Sequence, residues 1–382
     1  MEGNVQVMVE NAQGQIIKCT AAEEYSICNY MPLSLFRNVE VTCNNTEISD
    51  SSSSNAFPYK AYLEAILSFG SAAKSTHLLS SYWKSGKAGL EKTFKPATNA
   101  ADSAESGYIK RKDFCKLSKQ MPFVSSLHLD LFSTQKLMIP GVSIKLRYHR
   151  TPDTFTIVAD TGKTYHIKLT DLRLRVRKVI PSPGILSKTI EQLQSGKEAI
   201  YELNTTKCLT QIVPEGSSNY PNYHLFNGIL PKQLLIGFID PDSFNGHIKA
   251  NPFVFGNHGI NDFVFHVNSE LVPATRFKPN FAEDLYVREF ANLCECIGIS
   301  GTNEDIGLTP EKFKNALTLF ALDLSPDQCN SFHSHLPQTG TLGFEVTFSA
   351  PLQKSLIVFV YGVFSSALTF DKYLNAKLEH LS

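Results

Sequence analysis

The amino-acid sequence repeats one series of elements roughly 225 residues apart, and this duplication limits the folds that the chain can adopt. A strand-like run ending in a polar turn at residues 39–48 recurs at residues 263–272. Each copy is followed by apolar residues three and four apart, which is the spacing of one helical face, and is preceded by a short apolar run. The preceding runs cover residues 5–9 and 233–239. Three elements in the same order indicate two copies of one β-rich unit.

Each copy is predicted to carry one inserted helix after its repeated turn. The apolar spacing places these helices at residues 58–69 and 284–293. A segment rich in serine, alanine, glycine and lysine at residues 84–108 is predicted to be a long surface loop of the first copy.

A connector separates the two copies. Two prolines and a glycine precede a helical stretch at residues 185–193, and Gly196 is its predicted stop. We therefore predict a first domain at residues 1–196 and a second at residues 197–382.

Several segments alternate apolar and polar residues, as strands with one buried face do. They are residues 127–131, 142–148, 172–179 and 344–348. An uninterrupted apolar run at residues 355–364 is about half the length of a membrane helix, and its β-branched and aromatic residues favour a buried strand. Strands at these spacings are typical of β-sandwiches.

Composition limits the cellular setting and the partners. The chain carries 36 basic and 36 acidic residues, so no net charge favours binding to nucleic acid or to an anionic membrane. The first residues lack the basic start and apolar core of a signal peptide, and we expect a protein that is not secreted. Eight cysteines without a CxxC pair favour buried free thiols over disulfides or a metal site.

No catalytic motif with known mechanics is found, so the sequence predicts neither an enzyme nor a cofactor. His333 and His335 could share a metal ion, but without a carboxylate or thiol in the same motif a surface loop is favoured. Residues 240–246 offer oxygen ligands for calcium but lack the spacing of an EF-hand, which favours a tight turn.

One predicted strand shows a row of cations on its polar face. The cations are Arg173, Arg175, Arg177 and Lys178, and they alternate with apolar residues predicted to be buried. Such a row could bind phosphates or an acidic partner. A solvated outer face, or pairing with acids of a neighbouring subunit, is favoured because no aromatic residues interleave with the charges to stack on bases.

The order of these elements resembles that of the double jelly-roll major capsid proteins of Polinton and adintovirus type DNA viruses and related endogenous elements. The resemblance spans nearly the whole chain, and no single motif is diagnostic. The segments that carry it are residues 34–41, 57–69, 126–132, 140–147, 176–179, 228–232, 244–246 and 318–324.

The resemblance implies an all-β fold, a tandem jelly roll of two eight-stranded β-sandwiches with short inserted helices. It also implies a structural protein that forms homotrimers, which act as pseudo-hexameric capsomers of an icosahedral double-stranded DNA virus or virus-like element. Expected partners are further copies of the chain and a penton or minor capsid protein, without sequence-specific nucleic-acid binding. The expected location is the virion capsid, assembled in the host nucleus or cytoplasm.

In one respect the chain departs from such capsid proteins. Their first jelly roll opens with further strands, whereas residues 5–9 correspond to an inner strand of the second copy. We therefore expect an N-terminally truncated first barrel that lacks one or more strands, and whose sheet with residues 5–9 has a free edge or is completed by a neighbouring chain.

Other functions remain open at this stage. They are a glycan-binding β-sandwich with aromatic residues on its loops, a metal-dependent enzyme of the cupin kind, and a host protein derived from a capsid ancestor. The lack of a paired His and Glu spacing speaks against the cupin.

Overall fold

The computed structural model describes residues 1–49, 55–86, 107–134, 136–160, 162–325 and 338–380. The strands in its first half are β1 (Glu2–Glu10), β2 (Ile16–Lys18), β3 (Tyr25–Ile27), β4 (Phe36–Cys43), β5 (Thr46–Glu47), β6 (Met121–Val124), β7 (Ile144–Arg150), β8 (Ile157–Ala159) and β9 (Tyr165–Arg173). Those in the second half are β10 (Ala199–Val213), β11 (Asn219–Ile229), β12 (Gln233–Ile239), β13 (Ile260–Val267), β14 (Glu270–Phe277), β15 (Leu319–Asp323), β16 (Thr339–Phe348), β17 (Leu356–Phe370) and β18 (Ala376–His380).

The α-helices are short and lie between the strands. They are α1 (Met31–Ser34), α2 (Ala56–Ser68), α3 (Ser71–Ser75), α4 (Gly107–Cys115), α5 (Asp153–Thr156), α6 (Pro183–Gln194), α7 (Pro241–Asn245), α8 (Val287–Cys296) and α9 (Pro310–Ala316). None of the helices in the described ranges is both long and apolar enough to cross a membrane.

The second module, defined as β10–β18, is a sandwich of two sheets. One sheet has the order β10-β17-β12-β15, with β18 also paired to β17, and the other has the order β11-β16-β13-β14. The two inner faces meet through aromatic rings, and Phe263 of β13 stacks on Phe320 of β15 with ring centroids 3.9 Å apart. Both rings are buried, so this contact joins the two sheets at the core.

The first module, defined as β1–β9, repeats the plan in part. β1 pairs with β9 on one side and with β6 and β2 on the other, β4 lies between β5 and β7, and β3 pairs with β8. β1, β6 and β9 thus match β12, β15 and β17, while β4, β5 and β7 match β13, β14 and β16. Val5, Val7 and Val9 are buried at alternate positions of β1, as a sheet with one core face requires.

Among the described residues, no strand of the first module corresponds to β10 or β11. The predicted fold class, an all-β tandem of two modules with short inserted helices, is confirmed, although each module has nine described strands where eight were predicted. For the described residues, the absence of counterparts to β10 and β11 agrees with the expectation that the first module lacks strands which the second retains. The free edge is that of β9, because β1 is paired on both sides.

The repeated sequence forms two hairpins of the same geometry. Asn44 and Asn45 join β4 to β5 with φ angles of 45° and 77°, and Asn268 and Ser269 join β13 to β14 with φ angles of 50° and 71°. Two central residues with positive φ make a type I′ turn, which fits the twist of the flanking strands. The duplication predicted from the sequence is confirmed at this element.

The register outside the turn is also repeated. Val41 pairs with Leu146 of β7, and Phe265, at the same distance from its turn, pairs with Phe344 of β16. Each strand has an irregularity at the same place, between residues 36 and 38 in β4 and between residues 260 and 262 in β13. A shared bulge position indicates that the two modules share backbone detail as well as topology.

The three predicted helices are confirmed with small shifts, as α2, α8 and α6. Pro183 occupies the first turn of α6, and Gly196, with a φ of 87°, follows its end. The predicted strands at 142–148, 344–348 and 355–364 lie within or near β7, β16 and β17. Most of the predicted loop at 84–108 lies outside the described residues.

The predicted strand at residues 127–131 is wrong. β6 ends at Val124, and a 3₁₀ turn follows at Asp130–Ser133. Leu129 and Leu131 are buried as the alternation requires, but the segment packs against β10 instead of joining a sheet. Alternating apolar and polar residues predict that one face of a segment is buried. They do not show that another strand pairs with that segment.

Candidate assembly surface and module junction

A buried aromatic cluster joins the two modules, with Tyr59 of α2 at its centre. The Tyr59 side chain is fully buried, and its ring centroid lies 6.0 Å from that of Phe155 in the first module. On the other side it lies 5.4 Å from Phe244 and 5.0 Å from Phe359, both in the second module. The Tyr59 hydroxyl donates a hydrogen bond to the carbonyl oxygen of Pro252 at 2.8 Å. The inserted helix α2 of the first module therefore packs against the second module.

Close backbone approach at the same junction requires a glycine. Gly246 follows α7 with a φ of 83°, and a Cβ atom there would lie 2.9 Å from the Cα of Phe155. The segment predicted as either a turn or a calcium loop is thus a short helix that ends against the first module. Asn55, just before α2, donates to the carbonyl oxygen of Phe244 at 3.0 Å and adds a second link.

Charged side chains lie beside the aromatic cluster. The ammonium group of Lys60 on α2 is paired with the carboxylate of Asp130, and the Lys60 side chain is only 12% exposed. Asp130 also accepts a hydrogen bond from the backbone N–H of Thr206 on β10, at 3.0 Å. This carboxylate links the first module to an edge strand of the second.

Glu64, one turn after Lys60, extends this network. Its carboxylate contacts His128 Nδ1 at 2.7 Å, accepts a hydrogen bond from Tyr361 of β17 at 3.3 Å and lies 3.8 Å from the Lys60 ammonium group. Burial alone would raise the pKa of Glu64, but the Lys60 charge and the His128 hydrogen bond hold this pKa below its ordinary value. Glu64 therefore stays ionised within the junction.

A small cavity lies at the junction. About 50 Å³ of space lies beside Lys60, His128 and Cys208. Sites for small molecules are usually several hundred Å³ in volume, so this space suits water and not a substrate. A wider groove of about 580 Å³ lies near Ser71 and Asp305 and is open to solvent.

The predicted cationic row lies at the end of β9 and in the segment that follows. Because β9 ends at Arg173, the residues Arg175, Arg177 and Lys178 lie in a stretch without regular secondary structure. All four are exposed. The Arg175 guanidinium contacts the carboxylate of Glu2 at 2.6 Å. Arg177 and Lys178 make no ion pair with any described residue, and their charges face solvent.

The burial predicted for the apolar side of this row is wrong. Leu174 is 43% exposed and Val176 68% exposed. The strand that would carry them ends too early, and no described strand lies beyond β9 to cover them. The alternation of apolar and charged residues is real, but both sets of side chains contact solvent.

An exposed apolar surface continues into the connector helix. We define the connector surface as Val176, Val179, Ile180, Ile185 and Ile190. Ile180 is 95% exposed, and α6 has no buried residue although its apolar positions are spaced as on one helical face. Large exposed apolar patches on soluble proteins are typical of contacts with other proteins. The connector surface was not found from the sequence, because its spacing is that of an ordinary core helix.

The remaining predicted sites add no chemistry. Seven cysteines lie in the described ranges as free thiols, and six of them are buried. Burial raises the pKa of Cys115 to about 12, which makes it a poor nucleophile. His333 and His335 lie outside the described residues. Within the described part of the chain, no three metal-ligating side chains lie close enough to share an ion.

Comparisons with known proteins agree with this architecture. No protein-family model matches the chain. The uncharacterized protein F54H12.2 of Caenorhabditis elegans is 21% identical over 310 residues, which cover 79% of this chain and 69% of that protein.

Several solved virus structures match this chain over its whole length. A chain of the Sputnik virophage superposes with a TM-score of 0.55 at 10% identity, and 81% of that chain is covered. PBCV-1 VP54, fitted into a reconstruction of Sputnik, gives 0.51 at 10% identity with 90% covered. The Faustovirus major capsid protein gives 0.50 at 9% identity with 78% covered. The chain has the double jelly-roll fold of these virus capsid proteins.

Proposed function

We propose that the chain is a structural capsid subunit that assembles as a homotrimer. The observation that carries this proposal is a double jelly roll extending over the whole chain, as in the capsid proteins of Sputnik and Faustovirus. Two similar modules in each of three copies give a block with nearly six-fold shape. Such a block fills a hexagonal lattice with one gene product.

The module junction supports this role. A capsomer needs a fixed angle between its two modules, and the Tyr59 cluster and the Lys60 network join them through buried contacts. The proposed role depends on a rigid shape and on buried contact area, and it includes no chemical reaction. The connector surface is the proposed contact between copies, because it is apolar and exposed in the single chain.

The finer assignments belong to the same proposal. The order of sequence segments described above favours a Polinton or adintovirus type element. The proposed location is the virion shell, assembled in the host nucleus or cytoplasm, with a penton or minor capsid protein as a further partner. Arg177 and Lys178 are proposed to contact an acidic neighbour, because both project freely into solvent.

A second candidate is a host protein derived from a capsid ancestor. The relative encoded by Caenorhabditis elegans favours it, because that sequence comes from an animal. Such a protein would keep the fold and could keep the trimer without forming shells.

Light scattering on the purified full chain tests the proposal. We expect a mass three times that of the 42.5 kDa chain, and electron micrographs with pseudo-hexagonal particles. Ile180→Glu, on the connector surface, should reduce the trimer fraction at least tenfold, whereas Leu137→Glu, at an exposed apolar residue elsewhere, should not. A stable monomer at micromolar concentration would refute the trimer. Trimers without any larger assembly would favour the host protein.

A further inference from the structure

Three side chains at the module junction hold the groups from which an amide bond can form. The Lys60 ammonium group contacts Oδ1 of Asp130, and the two side chains are only 12% and 21% exposed. A carboxylate oxygen of Glu64, one turn further along α2, lies 3.8 Å from the same nitrogen. An amine, a carboxyl group and a second carboxylate therefore meet where little water reaches them, and holding reacting groups in contact lowers the barrier to their reaction.

A backbone donor is aimed at the carboxyl group of Asp130. The N–H of Thr206 on β10 donates to Oδ2 at 3.0 Å, whereas the contact with Lys60 is made by Oδ1. Attack by the amine on the carboxyl carbon places negative charge on the oxygen that remains, and a donor fixed in advance stabilises that charge. The Thr206 N–H is already in position at Oδ2, which leaves Oδ1 as the departing oxygen.

The Glu64 carboxylate is placed to accept a proton from the amine. Its Oε2 contacts His128 Nδ1 at 2.7 Å, while Oε1, the oxygen nearer to Lys60, accepts a hydrogen bond from Tyr361 at 3.3 Å. These contacts fix the orientation of the carboxylate. Once the Lys60 nitrogen is bonded to carbon it is cationic and acidic, so a carboxylate is a strong enough base to deprotonate it.

The ion pair of Lys60 and Asp130 is a stable starting state with room for a product beside it. Burial lowers the pKa of Lys60, but the charges of Asp130 and Glu64 outweigh burial and hold this pKa above its ordinary value. Any reaction therefore has to wait for a proton to pass from Lys60 to Asp130, and it is slower than folding. The space of about 50 Å³ beside these residues can hold a released water molecule.

We propose that Lys60 and Asp130 form an isopeptide bond after folding, with Glu64 as the base and the Thr206 N–H as the oxyanion donor. The bond links α2 to the turn at Asp130–Ser133, across 70 residues of chain. Because α2 carries Tyr59, this link fixes the helix that packs against the second module. The inference rests on the geometry of four groups and does not depend on the capsid role.

The reaction needs no reagent beyond these groups. One proton passes from the ammonium group to Oδ1 of Asp130, and the neutral Nζ of Lys60 then attacks Cγ. Glu64 takes a second proton from the nitrogen and delivers it to the Oδ1 hydroxyl, which leaves as water while the new Cγ–Nζ bond remains. One ammonium group and one carboxylate thus become one amide and one water molecule, and nothing is oxidised or reduced.

The mass of the purified full chain tests the proposal. We expect folded protein, incubated for several days at neutral pH, to become lighter by the mass of one water molecule. Protease digestion should then yield a branched peptide, and its fragmentation should place the cross-link between residues 60 and 130. Protein kept in urea should retain its full mass, because unfolding separates the four groups.

Variants separate the roles of the side chains, and circular dichroism shows which of them are folded. Lys60→Arg keeps the cation but loses the amine, and Asp130→Ala loses the carboxyl group, so both should retain full mass. Glu64→Gln removes the base and should slow the loss of water by about a hundredfold or more. Lys314 and Asp284 are the control pair, because they also contact each other, at 2.5 Å, but Asp284 is 70% exposed. No branched peptide should join them.

Three results would overturn the isopeptide bond. They are a folded chain that keeps its full mass, a loss of water without any branched peptide, and a branched peptide that joins other residues. A bond that forms as fast in folded Glu64→Gln as in the unaltered chain would overturn the role of Glu64 as the base. Each of these results can be obtained with a trimer or with a monomer, so the outcome is separate from that of the light-scattering test.

Discussion

Replacing Tyr59 with alanine removes the ring that fills the junction between the modules. Tyr59 is fully buried, and five phenylalanine rings surround it with centroids 5.0 to 6.0 Å away. Truncating a buried aromatic side chain of this size costs about 3–5 kcal/mol, because rigid neighbours cannot collapse into the space. The substitution also leaves the carbonyl oxygen of Pro252 without its donor.

Thermal unfolding converts this free energy into a measurable shift. For a chain of 382 residues the entropy of unfolding is about 0.8 kcal/mol per kelvin, so a loss of about 4 kcal/mol lowers the Tm by about 5 °C. Tyr59→Phe keeps the ring and loses only a hydrogen bond, with an expected cost of about 1–2 kcal/mol. Tyr373→Ala is the control, because Tyr373 is 74% exposed, and its cost should stay within about 0.5 kcal/mol.

The position of Tyr59 predicts a second effect. Because its ring contacts both modules, Tyr59→Ala should also weaken the coupling between them, and calorimetry should show a broadened or divided transition. Equal Tm values for Tyr59→Ala and Tyr373→Ala would refute the junction as described. A lowered Tm with one sharp transition would support the packing role of Tyr59 but contradict its role in coupling the two modules.

Three further changes probe the junction. Lys60→Met removes the cation that pairs with Asp130 and Glu64, and it should cost about 3 kcal/mol in urea unfolding, the low end of the range for breaking a buried ion pair. The control Lys116→Met breaks an exposed ion pair and should cost under about 1 kcal/mol. The pKa of Glu64 is lowered by folding, so its contribution is present above the unfolded pKa of about 4.3 and is lost as the pH falls through the folded value. Urea midpoints from pH 7 to pH 3 should fall less steeply in Glu64→Gln, and an unchanged slope would contradict this assignment. Gly246→Ala should cost about 2 kcal/mol in the same assay, because its φ is 83° and its Cβ would press on the Phe155 backbone; a neutral result would contradict that close approach.

The sequence predicted those hairpins and helices that are determined by residues close to one another in the chain. The hairpins at residues 39–48 and 263–272 depend on residues that tolerate positive φ between alternating strands, and both were found from the pattern alone. The helix α6 was predicted from a proline at its start and a glycine after its end. These features need no knowledge of the rest of the chain.

The junction depends on contacts that no local pattern contains. Lys60 and Asp130 are 70 residues apart, and Tyr361 reaches Glu64 from 297 residues away. In the sequence each of these charges looks like an ordinary surface residue. Their pairing follows from how α2 packs on the second module, so the pattern of charge could not identify it.

Both wrong strand predictions share one physical cause. Alternation shows that one face of a segment is suited to burial, but burial requires a neighbouring strand to pair with it. At residues 127–131 the segment packs on β10 without pairing, and after Arg173 no described strand lies beside the chain. The apolar residues of the second segment are therefore exposed, which turns a predicted core into a candidate contact surface.

The duplication makes the second module an internal reference for the first. The two modules share a hairpin, a bulge position and a strand order, so a difference in burial at equivalent positions points to what covers each module and not to a different fold. Ile144 and Leu342 differ in this way, and so do β9 and β17 along their outer sides. The connector surface follows β9, the strand whose outer side has no counterpart of β10 among the described residues.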